Sequence, residues 1–307
     1  MPNGMQRIAF GAVCAALLAG CSAMRESRPA RWELQEVRTL AGFRNPECVA
    51  VDPQTGWAYV TNTDAASPET VNDLDARGFV SRLSPGGEGV ELRWVDSSPA
   101  MPLNSPKGAC VLSGELYFND ITELKRCRID PRGPVRVVAT FPPDASLNDA
   151  ATDGRYVYVS DTARGKVFRV DPATGREAPI QAPPAINGLT FRGGRLFGVN
   201  VVRDDSDLWL LDADGLLPPR RLGVLAGAVG LDGVEPLADG QFLITDVWGH
   251  RVYVVDPAAA PGSQVRTLAV PADYPADLAI DRRRGLVYVP LFFRNEVKVY
   301  QLTRARQ

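Results

Sequence analysis

The sequence predicts an all-β protein, a six-bladed β-propeller closed by an N-terminal strand. A two-stranded pattern recurs along the chain with a period of roughly 40 to 45 residues, which is typical of propeller blades. Its sharpest copy, residues 185–200, has an Asn-Gly pair, an apolar strand, a Gly-rich turn and a second apolar strand ending in Asn. The 28 Gly and 25 Pro residues fall at turns between such strands, which favours an all-β protein over a disordered one.

Five further copies of the pattern precede or follow this one. They span residues 47–62, 107–119, 148–161, 232–246 and 277–291. If each copy forms one blade, the polar residues that lead the copies converge at one mouth of the central channel. These leading residues are Glu47, Lys107, Asn148, Asn187, Asp232 and Asp277.

The first and last blades depart from the regular repeat. A polar insertion at residues 64–77 interrupts blade 1, and we expect it to overhang the channel. Blade 6 runs out of chain after three strands, whereas residues 33–40 alternate like a strand and have no blade of their own. The early segment is therefore predicted to supply the outer strand of blade 6, which leaves the ring without a long free edge.

The bulk composition excludes some classes of function. The 307 residues are 45% hydrophobic and 23% charged, as in a soluble globular protein. The net charge is −2, and the chain has no basic stripe and no interleaving of aromatic and basic residues. Nucleic acid is therefore not an expected partner.

The first 32 residues predict export and a lipid anchor. Residues 1–20 contain one basic residue and then an apolar run that is too short to span a bilayer as a mature helix. The Leu-Ala-Gly-Cys sequence ending at Cys21 resembles the lipobox of bacterial lipoproteins, which implies a signal peptide over residues 1–20 and lipidation of Cys21. Residues 21–32 then form a flexible tether to a propeller at residues 33–307.

This reading places the protein in the bacterial cell envelope, on the periplasmic face of the outer membrane, held there by its lipid only. Ser22 favours the outer membrane over the inner membrane, because an Asp at this position often retains lipoproteins in the inner membrane. A plain secretory signal with a chance Cys is the alternative.

Three cysteines remain in the mature chain, namely Cys48, Cys110 and Cys127, and none has metal-ligand spacing. A Cys110–Cys127 bridge fits an oxidising compartment, but burial of all three as small hydrophobic residues is the preferred interpretation.

The leading residues predict a cation site. Glu47, Asp232 and Asp277 near one axis repel one another, so protons or cations must compensate their charges. Asn148 and Asn187 add amide oxygens without charge. Carboxylate and amide oxygens suit one hard divalent cation. Ca²⁺ is the first candidate, and Zn²⁺, Mn²⁺ or Mg²⁺ are alternatives. A hydrated polar channel without metal is the competing interpretation.

Four of these residues carry a resemblance to a known family. Glu47 in NPECVAVD, Asn148 in LNDAATD, Asn187 in INGLTF and Asp232 in LDGVEP resemble the metal-binding set of the regucalcin / gluconolactonase family. The resemblance implies six blades, one divalent cation held by these four residues, and hydrolysis of lactones. It also implies that the cation polarises the lactone carbonyl and that Asp232 serves as the general base for water. Water activated by the cation itself is the alternative nucleophile, because a carboxylate in contact with a cation has a lowered pKa.

The sequence departs from that family at two positions. Ser146 stands where enzymes acting on sugar lactones commonly have Arg, and Lys107 brings an ammonium to the channel mouth. The three carboxylates and Lys107 leave a net charge of −2, which one divalent ion would balance. The sole histidine, His250, is interpreted as a loop-capping residue rather than a ligand or base.

Two functions follow from these observations. The first is a metal-dependent lactonase or related ester hydrolase anchored in the cell envelope and acting on a small-molecule lactone or ester. The alternative is a non-catalytic propeller that binds a protein partner or a small ligand, since the fold hosts both.

Overall fold

The protein is a six-bladed β-propeller, as the repeat predicts. A computed structural model describes residues 31–202, 206–260 and 262–305, and within them six four-stranded antiparallel sheets are arranged as blades. The predicted signal peptide, Cys21 and most of the tether lie outside the described residues. Within the described chain, no helix has the length and apolar character needed to span a membrane.

The strands follow one another blade by blade. Blade 1 contains β2 (Pro46–Val51), β3 (Ala58–Asn62), β4 (Phe79–Leu83) and β5 (Val90–Asp96). Blade 2 contains β6 (Pro106–Leu112), β7 (Glu115–Asp120), β8 (Glu123–Arg128) and β9 (Arg136–Thr140). Blade 3 contains β10 (Leu147–Thr152), β11 (Val157–Asp161), β12 (Lys166–Val170) and β13 (Glu177–Gln181).

The second half of the ring repeats this order. Blade 4 contains β14 (Ile186–Arg192), β15 (Arg195–Asn200), β16 (Asp207–Leu211) and β17 (Arg220–Val224). Blade 5 contains β18 (Leu231–Pro236), β19 (Phe242–Asp246), β20 (Arg251–Val255) and β21 (Val265–Thr267). Blade 6 contains β22 (Ala279–Asp281), β23 (Leu286–Leu291) and β24 (Glu296–Ala305). One-turn 3₁₀ helices occur at Pro68–Thr70 and Phe292–Arg294.

An N-terminal strand completes blade 6. Strand β1 (Arg31–Ala41) pairs with β24 along its length, giving the sheet order β1-β24-β23-β22. It begins two residues before the predicted segment and buries Trp32 and Leu40. The Trp32 indole also donates a 2.8 Å hydrogen bond to Asp239 of blade 5. The two ends of the chain therefore hold the ring closed.

The core lies between the blades. Apolar residues on facing sheets form six clusters, one of which joins Tyr59 and Trp94 of blade 1 to Leu116 and Phe118 of blade 2. The second strands β3, β11, β19 and β23 are buried along their whole length because a neighbouring blade covers each face. Cys48, Cys110 and Cys127 are free and buried, so Cys110 and Cys127 form no bridge.

The first hairpin of blades 1 to 5 carries a β-bulge at the leading residue. In blade 1, Pro46 pairs with Asn62 and Val49 pairs with Val60, so Glu47 and its successor fall between two pairings. The same shift separates the pairs on either side of Lys107, Asn148, Asn187 and Asp232. A bulge re-aims side chains away from the regular alternation of a strand. The candidate site residues thus share one local backbone irregularity.

Candidate functional site

Aspartates at the ends of the second strands fix the loops that enter the inner strands. In blade 5, Asp246 accepts a 3.0 Å hydrogen bond from the Gly230 amide, two residues before Asp232. The equivalent bonds in blades 2 and 3 join Asp120 to the Ser105 amide and Asp161 to the Ser146 amide. These aspartates therefore have a structural role in the loops that lead to the inner strands.

Hydroxyl groups satisfy the backbone amides that the bulges release. Ser160 accepts a 2.8 Å hydrogen bond from the Asp149 amide, and Thr245 accepts a 2.7 Å bond from the Gly233 amide. Thr61 does the same for Cys48 at 3.1 Å. In each case the supported amide belongs to the residue directly after a leading residue. Buried side chains of the second strands therefore hold the bulged backbone in place.

The glycines of the Asn-Gly and Asp-Gly pairs allow neighbouring inner strands to approach closely. A Cβ on Gly188 would lie 1.8 Å from the Asp232 carbonyl oxygen, and one on Gly233 would lie 2.5 Å from the Leu278 amide. Only glycine fits at such distances. The Asn-Gly and Asp-Gly pairs in the sequence therefore mark positions where neighbouring inner strands contact each other around the axis.

The structure brings the leading residues of blades 1 to 5 to one end of the channel. This end is called the upper mouth, and the residues there are called the upper ring. Glu47, Lys107, Asn187 and Asp232 are each at least nine-tenths buried, and Asn148 is half-buried. Asn187 Nδ2 donates 3.1 Å hydrogen bonds to Asp232 Oδ1 and to the Leu231 carbonyl. This arrangement orients the Asn187 amide and one oxygen of Asp232.

Two buried side-chain oxygens at this level accept no hydrogen bond from the residues that the structure describes. They are Glu47 Oε2 and Asn187 Oδ1. Buried polar atoms in native proteins are nearly always paired, so two unfilled acceptors in one ring call for a partner. A cation or a donor group of a ligand would satisfy both.

Burial and mutual repulsion raise the pKa values of the two carboxyl groups. The pKa of Glu47 lies well above its ordinary value because of desolvation and then the charge of Asp232, and Lys107 opposes the shift. Desolvation first, and then the charge of Asp149, raises the pKa of Asp232 to about 7. Both groups therefore favour a proton, or another positive charge, in this environment.

Lys107 is held by the insertion of blade 1. Its Nζ donates a 2.7 Å hydrogen bond to Asn72 Oδ1, so the insertion overhangs the channel mouth as predicted. Desolvation lowers the pKa of Lys107, whereas the charges of Glu47 and Asp232 oppose that shift. Within the described chain, Lys107 forms no ion pair with a carboxylate.

Asp277 differs from the predicted position by one residue. Pro275 bridges to Leu291 as Pro46 pairs with Asn62, which makes Ala276 the counterpart of Glu47. Asp277 instead forms a parallel bridge with Cys48, one level deeper. The leading position of blade 6 carries no polar side chain, and Asp277 lines the channel below it.

A second polar layer lies beneath the first. Ligand atoms of Cys48, Asp149 and Asp277 lie within 4.8 Å of one another, and all three residues are buried. Asp149 accepts hydrogen bonds from the Leu189 amide at 2.5 Å and the Ala150 amide at 2.6 Å. Unlike the upper ring, this layer finds partners within the protein.

The carboxyl groups of Asp149 and Asp277 are so close that binding one proton between them is easier than ionising both. Burial raises the pKa of Asp277 well above its usual value and that of Asp149 to about 6. Asp149 was not predicted as a site residue from the sequence, because in a regular strand its side chain would point away from that of Asn148. The bulge brings both to the axis.

The two layers bring more acids than bases to the axis. Four carboxyl groups, those of Glu47, Asp149, Asp232 and Asp277, surround the single ammonium of Lys107. Below the second layer the channel widens to a cavity of about 320 Å³ that opens on the opposite face. The two layers therefore close the channel near its upper mouth.

Unusual backbone conformations concentrate on the upper face. Of the nine non-glycine residues with positive φ among the described residues, all but Ser113 lie in loops at this end. They include Tyr274 at 53° and His250 at 54°, values that favour glycine. Such strain is common at functional sites.

An aromatic group also lies on this face. Trp248 is half exposed and contacts the rings of Tyr274 and Phe293. Next to it, His250 Nδ1 lies 3.2 Å from Asp273 Oδ1 and 3.3 Å from the Tyr274 amide, in keeping with the loop role given to this histidine. The upper mouth thus has an apolar rim beside its charged interior.

The raised pKa values predict how the metal-free protein responds to pH. A carboxyl group with a higher pKa in the folded state than in the unfolded state stabilises the fold below its unfolded pKa, and this contribution is lost as pH rises through its folded pKa. With pKa values of about 6 for Asp149 and about 7 for Asp232, against an ordinary value of 3.8, stability should fall between about pH 4 and about pH 7. Each such group contributes up to about 1.4 kcal/mol per pH unit.

Thermal melting of chelator-treated protein across this range measures the effect. We expect the melting temperature to decrease with pH and an Asp232→Asn variant to show a shallower decrease. A melting temperature that rises over the range would contradict the assignment of these buried acids.

Comparisons with known proteins bear on the fold. No protein-family profile matches the sequence, and no curated protein sequence is significantly similar to it. Among solved structures, a luciferin-regenerating enzyme is similar with a TM-score of 0.66 and 14% identity, over 89% of this chain and 95% of that one. A candidate gluconolactonase is similar with a TM-score of 0.62 and 18% identity, over 90% of this chain and 94% of that one.

A catalytically inactive virginiamycin B lyase from Staphylococcus aureus, with quinupristin, is similar over 89% of this chain and all of that one, with a TM-score of 0.61 and 11% identity. At these identities the comparisons establish a shared propeller fold. That fold is the one implied by the resemblance to the regucalcin / gluconolactonase family.

Proposed function

We propose that the protein is a metal-dependent hydrolase of lactones or related esters. The observation that carries this proposal is the pair of unfilled buried acceptors, Glu47 Oε2 and Asn187 Oδ1, in a ring that also contains Asp232. Empty acceptors beside repelling carboxyl groups fit a positive ligand better than they fit a packed, self-satisfied channel.

The donor atoms fit a hard divalent cation. Glu47 and Asp232 would supply carboxylate oxygens, and Asn187 and Asn148 amide oxygens, which is a ligand set suited to Ca²⁺. A divalent charge would offset the excess of carboxyl groups over the single ammonium around the axis. Zn²⁺, Mn²⁺ and Mg²⁺ are the other candidates, and the metal-content measurement below distinguishes them.

The bound cation would supply a Lewis acid for the carbonyl oxygen of the substrate. The residues of this chain would perform the other tasks. Asn187 holds one oxygen of Asp232, so the other can take a proton from water while the water oxygen bonds to the carbonyl carbon. The ester C–O bond then breaks, and for a lactone the product is a hydroxy acid.

We further propose that a lipid on Cys21 holds this domain in the bacterial envelope, where the upper mouth receives substrates from the periplasm. The proposal rests on the lipobox-like sequence, and mass spectrometry of protein purified from membranes would test it by detecting the diacylglyceryl group.

Metal analysis and a substrate panel test the catalytic proposal. Purified protein should carry about one divalent cation per chain, and Ca²⁺ at a hundred times its Kd should stabilise the fold by about 2.7 kcal/mol. A panel of lactones and aryl esters should show hydrolysis that chelation abolishes and the cation restores. Cation binding without turnover of any substrate would favour the non-catalytic binding function, and absence of both would overturn the proposal.

A further inference from the structure

We infer that Lys107 is a second electrophilic group of the site, positioned by Asn72 of the blade 1 insertion. Its ammonium binds the substrate oxygen that becomes negative during hydrolysis. This inference rests on the proposed function and names a residue that acts beside the cation. The hydrogen bonds that Lys107 makes, and the donors that it leaves without a partner among the described residues, support this role.

The ammonium of Lys107 has hydrogen-bond donors without an acceptor among the described residues. A lysine ammonium carries three donors, and the described residues offer Lys107 one acceptor, Asn72 Oδ1. The side chain is only 4% exposed, so bulk water does not readily fill the remaining positions. Glu47 and Asp232 are near enough to shift its pKa but do not pair with it.

A second buried lysine in the same blade shows what a structural role looks like. Lys125 is 1% exposed and donates to Asp120 Oδ2 at 2.5 Å and to the Pro102 carbonyl at 2.7 Å. Glu123 Oε2 lies 3.2 Å away and completes its surroundings. A buried ammonium without such partners is costly, and a ligand oxygen in the channel mouth would remove that cost for Lys107.

The reaction creates an oxygen of the required kind. As the water oxygen bonds to the carbonyl carbon and Asp232 takes the water proton, the carbonyl oxygen gains the electron pair of the C=O π bond. A hydrogen bond from Lys107 to this oxyanion stabilises the transition state more than the ground state. When the C–O bond to the leaving oxygen breaks, the leaving alkoxide takes a proton from solvent, and the hydroxy acid departs.

Asn72 places the ammonium for this task. It belongs to the insertion that follows β3, and its 2.7 Å bond to Lys107 crosses from blade 1 to blade 2 at the mouth. Asn72 is itself exposed, so it contributes little to the core of the domain. Its role is therefore positioning, and its loss should act on turnover rather than on folding.

A Lys107→Met variant tests the inference, since methionine fills a similar volume without charge. We expect kcat/KM for the best lactone to fall by about a hundredfold, mainly through kcat. We also expect Ca²⁺ to bind at least about tenfold more tightly, because a neighbouring positive charge is gone. Asn72→Ala should lower kcat about tenfold with an unchanged melting temperature.

Matched controls are Lys166→Met, an exposed lysine of blade 3, and Asp73→Ala, the exposed neighbour of Asn72. Both should behave like the unmodified protein. In Lys107→Ala, added propylammonium should restore part of kcat, which a structural defect would not allow. Unchanged kcat/KM in a folded Lys107→Met variant, or loss of activity without rescue in Lys107→Ala, would overturn the inference.

A binding measurement separates this inference from the proposed function. Calorimetry with a hydroxycarboxylate, the product class, needs no turnover. If no lactone is hydrolysed, weaker hydroxycarboxylate binding by Lys107→Met with tighter Ca²⁺ binding would still support Lys107 as the oxygen ligand. Equal binding by both proteins would reject it whatever the catalytic result.

Discussion

An Asp232→Asn variant is expected to lose lactone hydrolysis by about a thousandfold and to bind Ca²⁺ at least tenfold more weakly. Asparagine preserves the shape of the side chain but removes a carboxylate from the ring and the base for water. It also offers an amide that can donate to the unfilled oxygen of Asn187. The variant should therefore fold at least as stably as the unmodified protein when metal is absent.

Hydrolysis rates and calorimetric Ca²⁺ titrations measure both effects. Asp214→Asn is the matched control, because Asp214 is exposed in blade 4 and pairs with Arg169 of blade 3. That variant should retain activity and cation affinity. Full activity in Asp232→Asn would show that the chemistry of the protein, if it is a hydrolase, lies elsewhere.

Deleting residues 33–40 is expected to destabilise the whole propeller by about 4 kcal/mol or more, or roughly 10 °C in melting temperature. The deletion removes most of β1, leaves β24 as a long unpaired edge and detaches Trp32 from the core of blades 5 and 6. Because the ring is closed by this pairing, the loss should spread beyond blade 6. Differential scanning calorimetry of the truncated propeller measures the loss of stability.

Deletion of residues 22–30 is the control, since these residues precede β1. This deletion, which is one residue longer, should leave the melting temperature unchanged. Equal melting temperatures for the two truncations would contradict the assignment of β1 as the closing strand.

The propeller could be predicted because its signals are local and repeated. Each blade combines two apolar strands with a Gly-rich turn, and the Asn-Gly and Asp-Gly pairs mark positions where Gly188 and Gly233 let inner strands touch. The incomplete last blade and the alternation of residues 33–40 then predicted the closure. Such patterns need no knowledge of side-chain contacts.

The register of the site was harder to predict. Asp277 looks like Glu47 and Asp232 in sequence, yet its blade places Ala276 at their level. The sequence pattern singles out Asn148 and not Asp149, because only a bulge directs the side chains of two consecutive residues to the same axis. Patterns of alternation cannot reveal a one-residue shift of this kind.

The contact between Asn72 and Lys107 was also beyond the sequence. The insertion was recognised from its length and polarity, and its position over the mouth follows from the end of β3. The residue that touches the ring depends on the path of a loop with little regular structure. The contrast between Lys107 and Lys125 likewise appears only once their hydrogen bonds are known.

Crystals of the protein soaked in Mn²⁺, with diffraction recorded at a wavelength where manganese scatters anomalously, test the central claim most directly. We predict one strong anomalous peak at the upper mouth, within coordination distance of Glu47, Asn187 and Asp232. Full occupancy of that position by water or by the Lys107 ammonium, with no anomalous peak in the channel, would contradict the cation site and the hydrolase built on it.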